Sequence, residues 1–305
     1  VVNLAHTIRE VTRNHLQNHN GLLLGQCVKA VGWINGNVPD CENIIELPMS
    51  DGGGGSGIVV GAALVGRRPI LAFRFQDFSL MNGSPIIHYA AKSKELHGVP
   101  CPILVRLIGT EGLGPVHSGV YHSLFMHFPG MQVWAPCTSG EYLKMWDAYM
   151  ASDDPFIVSE HRHTYDQIQE YSDIVYNNSD VVVYFISVCR KFADEVSLKL
   201  CGQGIKCNCI HITRLKPFPT LEENRNYYLG MLGRSKFGLV VDPGHTIGGA
   251  SQIYAQWLHE NTGCKVYAMG TEDKTKCLCD PLKNPYPNAE MIIKRIYEIR
   301  KHDGL

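Results

Sequence analysis

Short runs of β-branched and aliphatic residues alternate along the chain with longer stretches in which apolar positions recur at helical spacing. In the first half, Leu22–Leu24, Ile44–Leu47, Ile70–Phe75, Ile103–Leu107, Val133–Ala135 and Phe156–Ser159 predict strands. Between them, Ser56–Val65, Ser84–His97 and Gly140–Ala151 predict helices. Pro100, Pro102, Pro129 and Pro155 fall in the connections, where a residue without an amide hydrogen does least harm. Strands alternating with helices in this way predict a parallel sheet covered by helices, an α/β fold.

The stretch His161–Asp180 is polar and rich in Asn, Asp, Gln and Tyr, and reads as a connection, with the linker proper at 166–180. A second, smaller α/β unit follows, with strands predicted at Val181–Ile186, Lys206–Ile212, Phe237–Val241 and Lys265–Ala268. Its predicted helices are Phe192–Cys201, Gly249–His259 and Ala289–Arg300. The expected domains are therefore 1–165 and 181–305, with no internal repeat.

Composition narrows the function classes. A chain of 305 residues has room for two domains that each bury a core. The 28 Lys and Arg against 29 Asp and Glu leave a net charge of −1, which gives no basic footprint for a nucleic acid or an anionic membrane. No apolar run approaches the roughly 18 residues of a membrane span. The opening Val1–His6 lacks the basic flank and apolar core of a secretory signal. Eleven cysteines make an odd number, and the pairs Cys207/Cys209 and Cys277/Cys279 are spaced for neither a zinc nor a redox motif. Reduced thiols are expected, in the cytoplasm or, in a eukaryote, the mitochondrial matrix.

Candidate chemistry gathers in two places. Ser50–Gly57 is a glycine run between a strand and a helix, suited to bring backbone amides close to an anion. Gly52, Gly54 and Gly57 satisfy G-x-G-x-x-G, with Asp77 about twenty residues on, yet Pro48–Asp51 separate the run from its strand. A turn, a nucleotide site and a cofactor site all stay open for it. The helix that follows, Gly57–Gly66, carries small residues at close spacing, which predicts a close neighbour, either another helix or another subunit. The second place is the loop Gly112–Val116, flanked by His117, His122 and His127, with His161 and His163 after the last strand of the first half. No metal-ligand spacing links these histidines, and no metal site is assigned in this chain. Histidines on loops at strand ends suit acid–base chemistry. The sequence contains neither a G-x-x-x-x-G-K-[ST] phosphate loop nor a G-x-S-x-G elbow.

The order of segments is more specific than any one motif. Glu46–Asp51, Gly57–Ile70, Phe73–Ser79, Ala90–Lys92, Pro102–Arg106, Gly114–Ser118, Met126–Gly130, Val133–Pro136, Asp153–Pro155 and Ser159–Glu160 follow one another as they do in the beta subunit of thiamin-diphosphate-dependent 2-oxo acid dehydrogenases. In the second half, Ile212–Phe218, Gly238–Asp242 and Gly248–Gly249 resemble the C-terminal domain of the same transketolase-like superfamily. The resemblance runs from about residue 20 to the end of the chain. It implies a parallel-sheet pyrimidine-binding domain followed by a smaller transketolase C-terminal α/β domain.

The implied function is that of a pyruvate dehydrogenase-like beta subunit, which decarboxylates a 2-oxo acid and passes the acyl unit to an acceptor such as lipoamide. In this family the alpha-type chain holds magnesium and the diphosphate through a G-D-G…N-N motif that does not occur in this sequence. An alpha-type partner in an α2β2 assembly is therefore expected, with Mg2+ held mainly by that partner and a lipoyl acyltransferase as a further associate. Carried over by position, Asp51 stands where the family has the glutamate that hydrogen-bonds the aminopyrimidine and favours loss of the thiazolium proton. Met49 and Phe78 fall beside the cofactor, the Phe78 ring against the pyrimidine. His117 takes the place of the His in a His-Ser-Gln segment near the reacting carbon, and His127 matches a further histidine on the active-site side. The sequence departs from the family pattern at Asp51, in a glycine run one residue longer, and at Gly119, which stands where the family has Gln. A split transketolase, an acyloin-forming synthase subunit and a non-catalytic scaffolding paralogue are the alternatives.

Overall fold

The computed structural model describes residues 2–29, 33–48, 54–114, 117–217, 222–275 and 284–305. In chain order the strands are β1 (Gly21–Gln26), β2 (Ile44–Leu47), β3 (Arg68–Phe73), β4 (Leu104–Gly109), β5 (Gln132–Trp134), β6 (Phe156–His161), β7 (Ser179–Ile186), β8 (Cys207–Ile212), β9 (Arg214–Lys216), β10 (Ser235–His245) and β11 (Val266–Thr271). The contacts within the chain form two compact units, Val1–Glu170 with Arg214–Pro217, and Tyr171–Thr213 with Phe218–Leu305.

The first unit is built on a sheet in the order β2-β1-β3-β4-β6-β5-β9. Its strands are parallel except β9, which runs antiparallel to β5 at the edge. On one face Leu23, Ile70, Leu104, Ile108, Phe156 and Val158 pack against Leu4, Ile8 and Leu16 of the helix Leu4–Asn18. Tyr142, Met145 and Tyr149 of the helix Ser139–Met150 complete that layer. The period of two in a strand carries Arg106 and Glu160 onto this same face as Leu104, Ile108, Phe156 and Val158. Both are almost wholly buried. They meet in a bidentate pair, Nε to Oε1 at 2.6 Å and Nη2 to Oε2 at 2.8 Å. Asn37 Oδ1 accepts from the same guanidinium at 3.0 Å, and the Tyr165 hydroxyl donates to Glu160 at 2.6 Å.

Two helices differ in extent from the pattern-based expectation. The helix expected at Ser84–His97 begins at Ser79 and runs through Pro85 and a π-turn at Ile86–Ala90 to His97. Pro85 lacks an amide hydrogen, and a local widening of the helix is one way to absorb such a break. The helix Ser139–Met150 starts at a capping box, in which the Thr138 side chain and Glu141 satisfy each other's backbone amides. The amphipathic helix Leu4–Asn18 and the edge strand β9 add to the expected elements.

The second unit is a parallel sheet in the order β11-β10-β7-β8. Val181, Val183, Phe185, Leu239 and Val241 pack with Val196 and Leu200 of the helix Ala193–Cys201 and with Ile292, Ile296 and Ile299 of Ala289–Asp303. Both units are thus α/β with mainly parallel sheets, as the alternating pattern predicts. The described cysteines are all free thiols; Cys207 and Cys209 come to 3.8 Å between sulfurs, far beyond a disulfide bond. Among the described residues no helix is long and apolar enough to cross a membrane.

Candidate active site

Parallel strands deliver all their carboxyl ends to one edge of a sheet, and ligands of open α/β sheets bind along that edge. In the first unit one buried side chain ties three of these ends together. Gln76 sits just past β3 in a 3-10 turn, Gln76–Phe78. Its Nε2 donates to the Leu107 carbonyl of β4 at 3.1 Å and to Ser159 Oγ of β6 at 2.9 Å. Its Oε1 accepts from the Tyr121 amide at 2.7 Å, which fastens the histidine loop to the same point. Ser159 Oγ also lies 2.9 Å from His122 Nδ1, and both residues are buried. A glutamine fits this position because it offers donors and an acceptor on one planar group.

The turn held by Gln76 presents a cluster of three rings. Phe75 meets His117 edge to face at 4.1 Å between centroids and Phe78 at 5.5 Å. Phe78 and His117 are themselves 5.6 Å apart, again nearly perpendicular. The Arg162 guanidinium lies 4.8 Å from the Phe75 centroid and donates to the Arg74 carbonyl at 3.2 Å. Phe75 is buried, whereas Phe78 and His117 are half-buried and keep part of their rings open.

Between Gln76 and Phe78 stands Asp77. Its Oδ1 accepts from the Tyr121 hydroxyl at 3.3 Å, and its Oδ2 is buried without a hydrogen-bond partner among the described residues. Burial holds the Asp77 carboxyl above the ordinary carboxylate range, against the opposing pull of its own amide, the Tyr121 hydroxyl, His117 and the Gly119 amide. Burial, and then Asp77, push the Tyr121 phenol up to about 12. The Tyr121 ring lies across Gly119. A Cβ at position 119 would fall 2.1–2.4 Å from Cε2, Cζ and the hydroxyl of Tyr121.

Of the site residues expected from sequence, Phe78 and His117 are brought together here. His127 is exposed at the end of the short helix His122–Met126, and its printed ring contact is with Phe128, 5.3 Å away. Lys216 of β9 holds that turn through Met126 O at 2.9 Å and through Phe128 O. Gly130 closes it with φ +77°, its Cα so near the Ala91 carbonyl that a Cβ would lie 1.9 Å from the oxygen. Met49 and Asp51 lie outside the described residues. Gln76, Asp77 and Tyr121 were not picked out as site residues by sequence reasoning; Gln76 and Asp77 lie within a family-like segment, but nothing local signals their link to Tyr121.

The helix Gly54–Leu64 packs on the segment Ser79–Ala90. At Gly55 the approach is close, for a Cβ there would meet Leu47 at 2.7 Å. Gly54, Gly57 and Gly61 have nothing within 4 Å of where a Cβ would stand. Ile58, Leu64 and Val65 are exposed, and Leu64, Tyr89, Leu96 and Val99 line a groove of about 320 Å³. Much of the small-residue face is therefore left uncovered by this chain.

Residues 43–167 match the family model for the transketolase pyrimidine-binding domain. The beta subunit of 2-oxoisovalerate dehydrogenase from Bacillus subtilis is 27% identical over 195 residues, 58% of each chain. The pyruvate dehydrogenase E1 component subunit beta from Rickettsia felis is 27% identical over 196 residues, 59% of each. The matched region thus spans under two thirds of these curated relatives. Among solved structures, a split gene transketolase crystallised as an inactive beta4 tetramer superposes with a TM-score of 0.74 at 14% identity, covering 97% of both chains. The transketolase of Campylobacter jejuni gives 0.73 at 15%, covering 97% of this chain and 46% of its own. The fold is that of transketolase-type enzymes, and the resemblance to 2-oxo acid dehydrogenase beta subunits read from the segments is shared by these sequence relatives.

Proposed function

We propose that this chain is the beta-type subunit of a thiamin-diphosphate-dependent 2-oxo acid dehydrogenase, supplying the pyrimidine side of a site that an alpha-type chain completes. The observation that carries the reading is the Phe75, Phe78 and His117 cluster at the strand ends of a unit that matches the pyrimidine-binding family. A flat heteroaromatic ring fits a half-open aromatic surface of this kind, since offset and edge-to-face ring contacts are favourable. Bound thiamin diphosphate supplies the electron sink for loss of carbon dioxide from a 2-oxo acid. The chain's own part is positional and protonic. Phe78 packs on the pyrimidine, Met49 lies beside it, and Asp51 hydrogen-bonds its edge. His117 holds or moves a proton on the substrate side, with His127 as a second such group, and Gln76 fixes the turn on which Phe78 stands. The family's diphosphate and Mg2+ motif is missing from the sequence, so both are held by the alpha-type partner. The open face of the helix Gly54–Leu64 suits a subunit contact in an α2β2 assembly.

Lipoamide is the proposed acceptor, delivered by a lipoyl acyltransferase, in the cytoplasm or the mitochondrial matrix. Co-expression with an alpha-type chain, followed by 2-oxo acid-dependent reduction of an artificial electron acceptor, tests the activity. Calorimetry on the isolated chain with thiamin diphosphate and Mg2+ tests the division of labour; tight stoichiometric binding would count against it. A second reading, a split transketolase subunit, is favoured by the 97% mutual coverage with the split gene transketolase chain. It predicts two-carbon transfer from a ketose in place of acceptor reduction.

A further inference from the structure

The Tyr121 ring occupies the volume that a side chain at position 119 would take, with three of its atoms within 2.4 Å of the missing Cβ. The ring is fixed at both ends. Its backbone amide is bound to Gln76 at 2.7 Å, and its hydroxyl donates to Asp77 at 3.3 Å. The two acceptors belong to one turn, whose next residue, Phe78, contacts His117. A carboxamide at 119 would offer this wall two N–H donors and an acceptor. The phenol offers a ring face and a lone pair, because its one proton is committed to Asp77. With Phe75 and Phe78 close by, the wall beside His117 is mainly apolar and short of free donors.

We infer that Tyr121, seated over Gly119 and held by Asp77, is a specificity-determining residue of this site and selects 2-oxo acids with an apolar substituent over hydroxylated ones. The inference rests on the 2-oxo acid reading given above. A hydrophobic wall discriminates an ethyl group from its hydroxymethyl isostere only modestly, by about 10- to 100-fold. 2-Oxobutanoate and 3-hydroxypyruvate form such a pair, differing by a methyl group against a hydroxyl.

The experiment compares kcat/KM for these two acids in the assembled complex of this chain with its alpha-type partner, cofactor and Mg2+. The wild type is expected to favour 2-oxobutanoate by about tenfold or more. Gly119→Gln forces the ring aside and puts a carboxamide in the wall, and should reduce that preference by about tenfold. Tyr121→Phe keeps the ring and should keep the preference. In the isolated chain, carboxyl NMR should show the Asp77 midpoint rising in Tyr121→Phe, because the lost hydroxyl stabilised the ionised form. Turnover without preference, or a ratio unchanged by Gly119→Gln, overturns this inference alone. Tyr121 ring signals unmoved by Gly119→Gln overturn the seating with no reference to turnover. Turnover of neither acid by the wild-type complex overturns the 2-oxo acid reading, and this inference with it.

Discussion

Gln76→Leu is the most informative single perturbation of the site's frame. Leucine nearly keeps the volume of glutamine, so the buried position stays filled and the effect isolates the polar contacts. Three interactions disappear, those with Leu107 O at 3.1 Å, Ser159 Oγ at 2.9 Å and the Tyr121 amide at 2.7 Å. Ser159 keeps His122 as a partner, so its loss is the smallest of the three. Each buried group left without a partner costs about 1–3 kcal/mol, and relaxation makes such costs less than additive, which gives a total of about 2–4 kcal/mol. At about 2–4 °C per kcal/mol for a unit of this size, the melting temperature should fall by roughly 5–15 °C. Calorimetry reads that fall. Hydrogen exchange at the Tyr121 amide reads its local origin, because the donor loses its acceptor. A loss of less than about 1 kcal/mol, with the Tyr121 amide still protected, would refute the claim that Gln76 joins the strand ends to the histidine loop.

Three further outcomes follow from the geometry. Phe78→Ala should weaken thiamin diphosphate binding in the assembled enzyme by about 1–3 kcal/mol, the scale of one buried ring, as measured by cofactor titration; unchanged affinity beside a lowered melting temperature would make Phe78 a core residue only. Asp77→Asn should be more stable than wild type at neutral pH. Burial raises the folded carboxyl, so wild type loses stability relative to the amide as pH rises through that value; the two converge below the unfolded value of about 3.9, in urea titrations across pH. Arg106→Met leaves Glu160 buried without its guanidinium and should cost about 3–5 kcal/mol, while adding Glu160→Gln should recover part of that loss in the same urea assay.

What the sequence made legible depended on how local the signal was. Buried parallel strands announce themselves as apolar runs, and Ile44–Leu47 is found at its expected bounds. Strand β9 carries a single apolar residue, Leu215, between two cations, so no periodicity marks it. The start of the helix at Ser79 was hidden because Gly83 and Pro85 interrupt its first turns. At the site, Phe78 and His117 could be named through their family-like segments, and the structure puts their rings in contact. The Asp77–Tyr121 pair spans 44 positions and exists only once β3 and the histidine loop are folded onto Gln76. Gly119 appeared in the sequence as a lost glutamine; in three dimensions it is the clearance beneath an aromatic ring.

The last strand of the first sheet has a bearing on how the protein can be made. A ribosome releases the chain from its first residue onward, yet the first unit ends at Glu170 and resumes only at Arg214. Until that tripeptide emerges, the outer edge of β5 has no partner, and Trp134 lacks the Arg214 guanidinium that sits 5.4 Å from its ring. Lys216 is equally late in reaching the carbonyl of Met126 at 2.9 Å. A nascent chain paused in the intervening stretch therefore exposes an open strand edge, a template for pairing with another copy. The same holds for any recombinant fragment cut after Glu170. Expressing the first unit by itself calls for a covalent graft of residues 214–217 across the gap, not a stop codon at the apparent boundary.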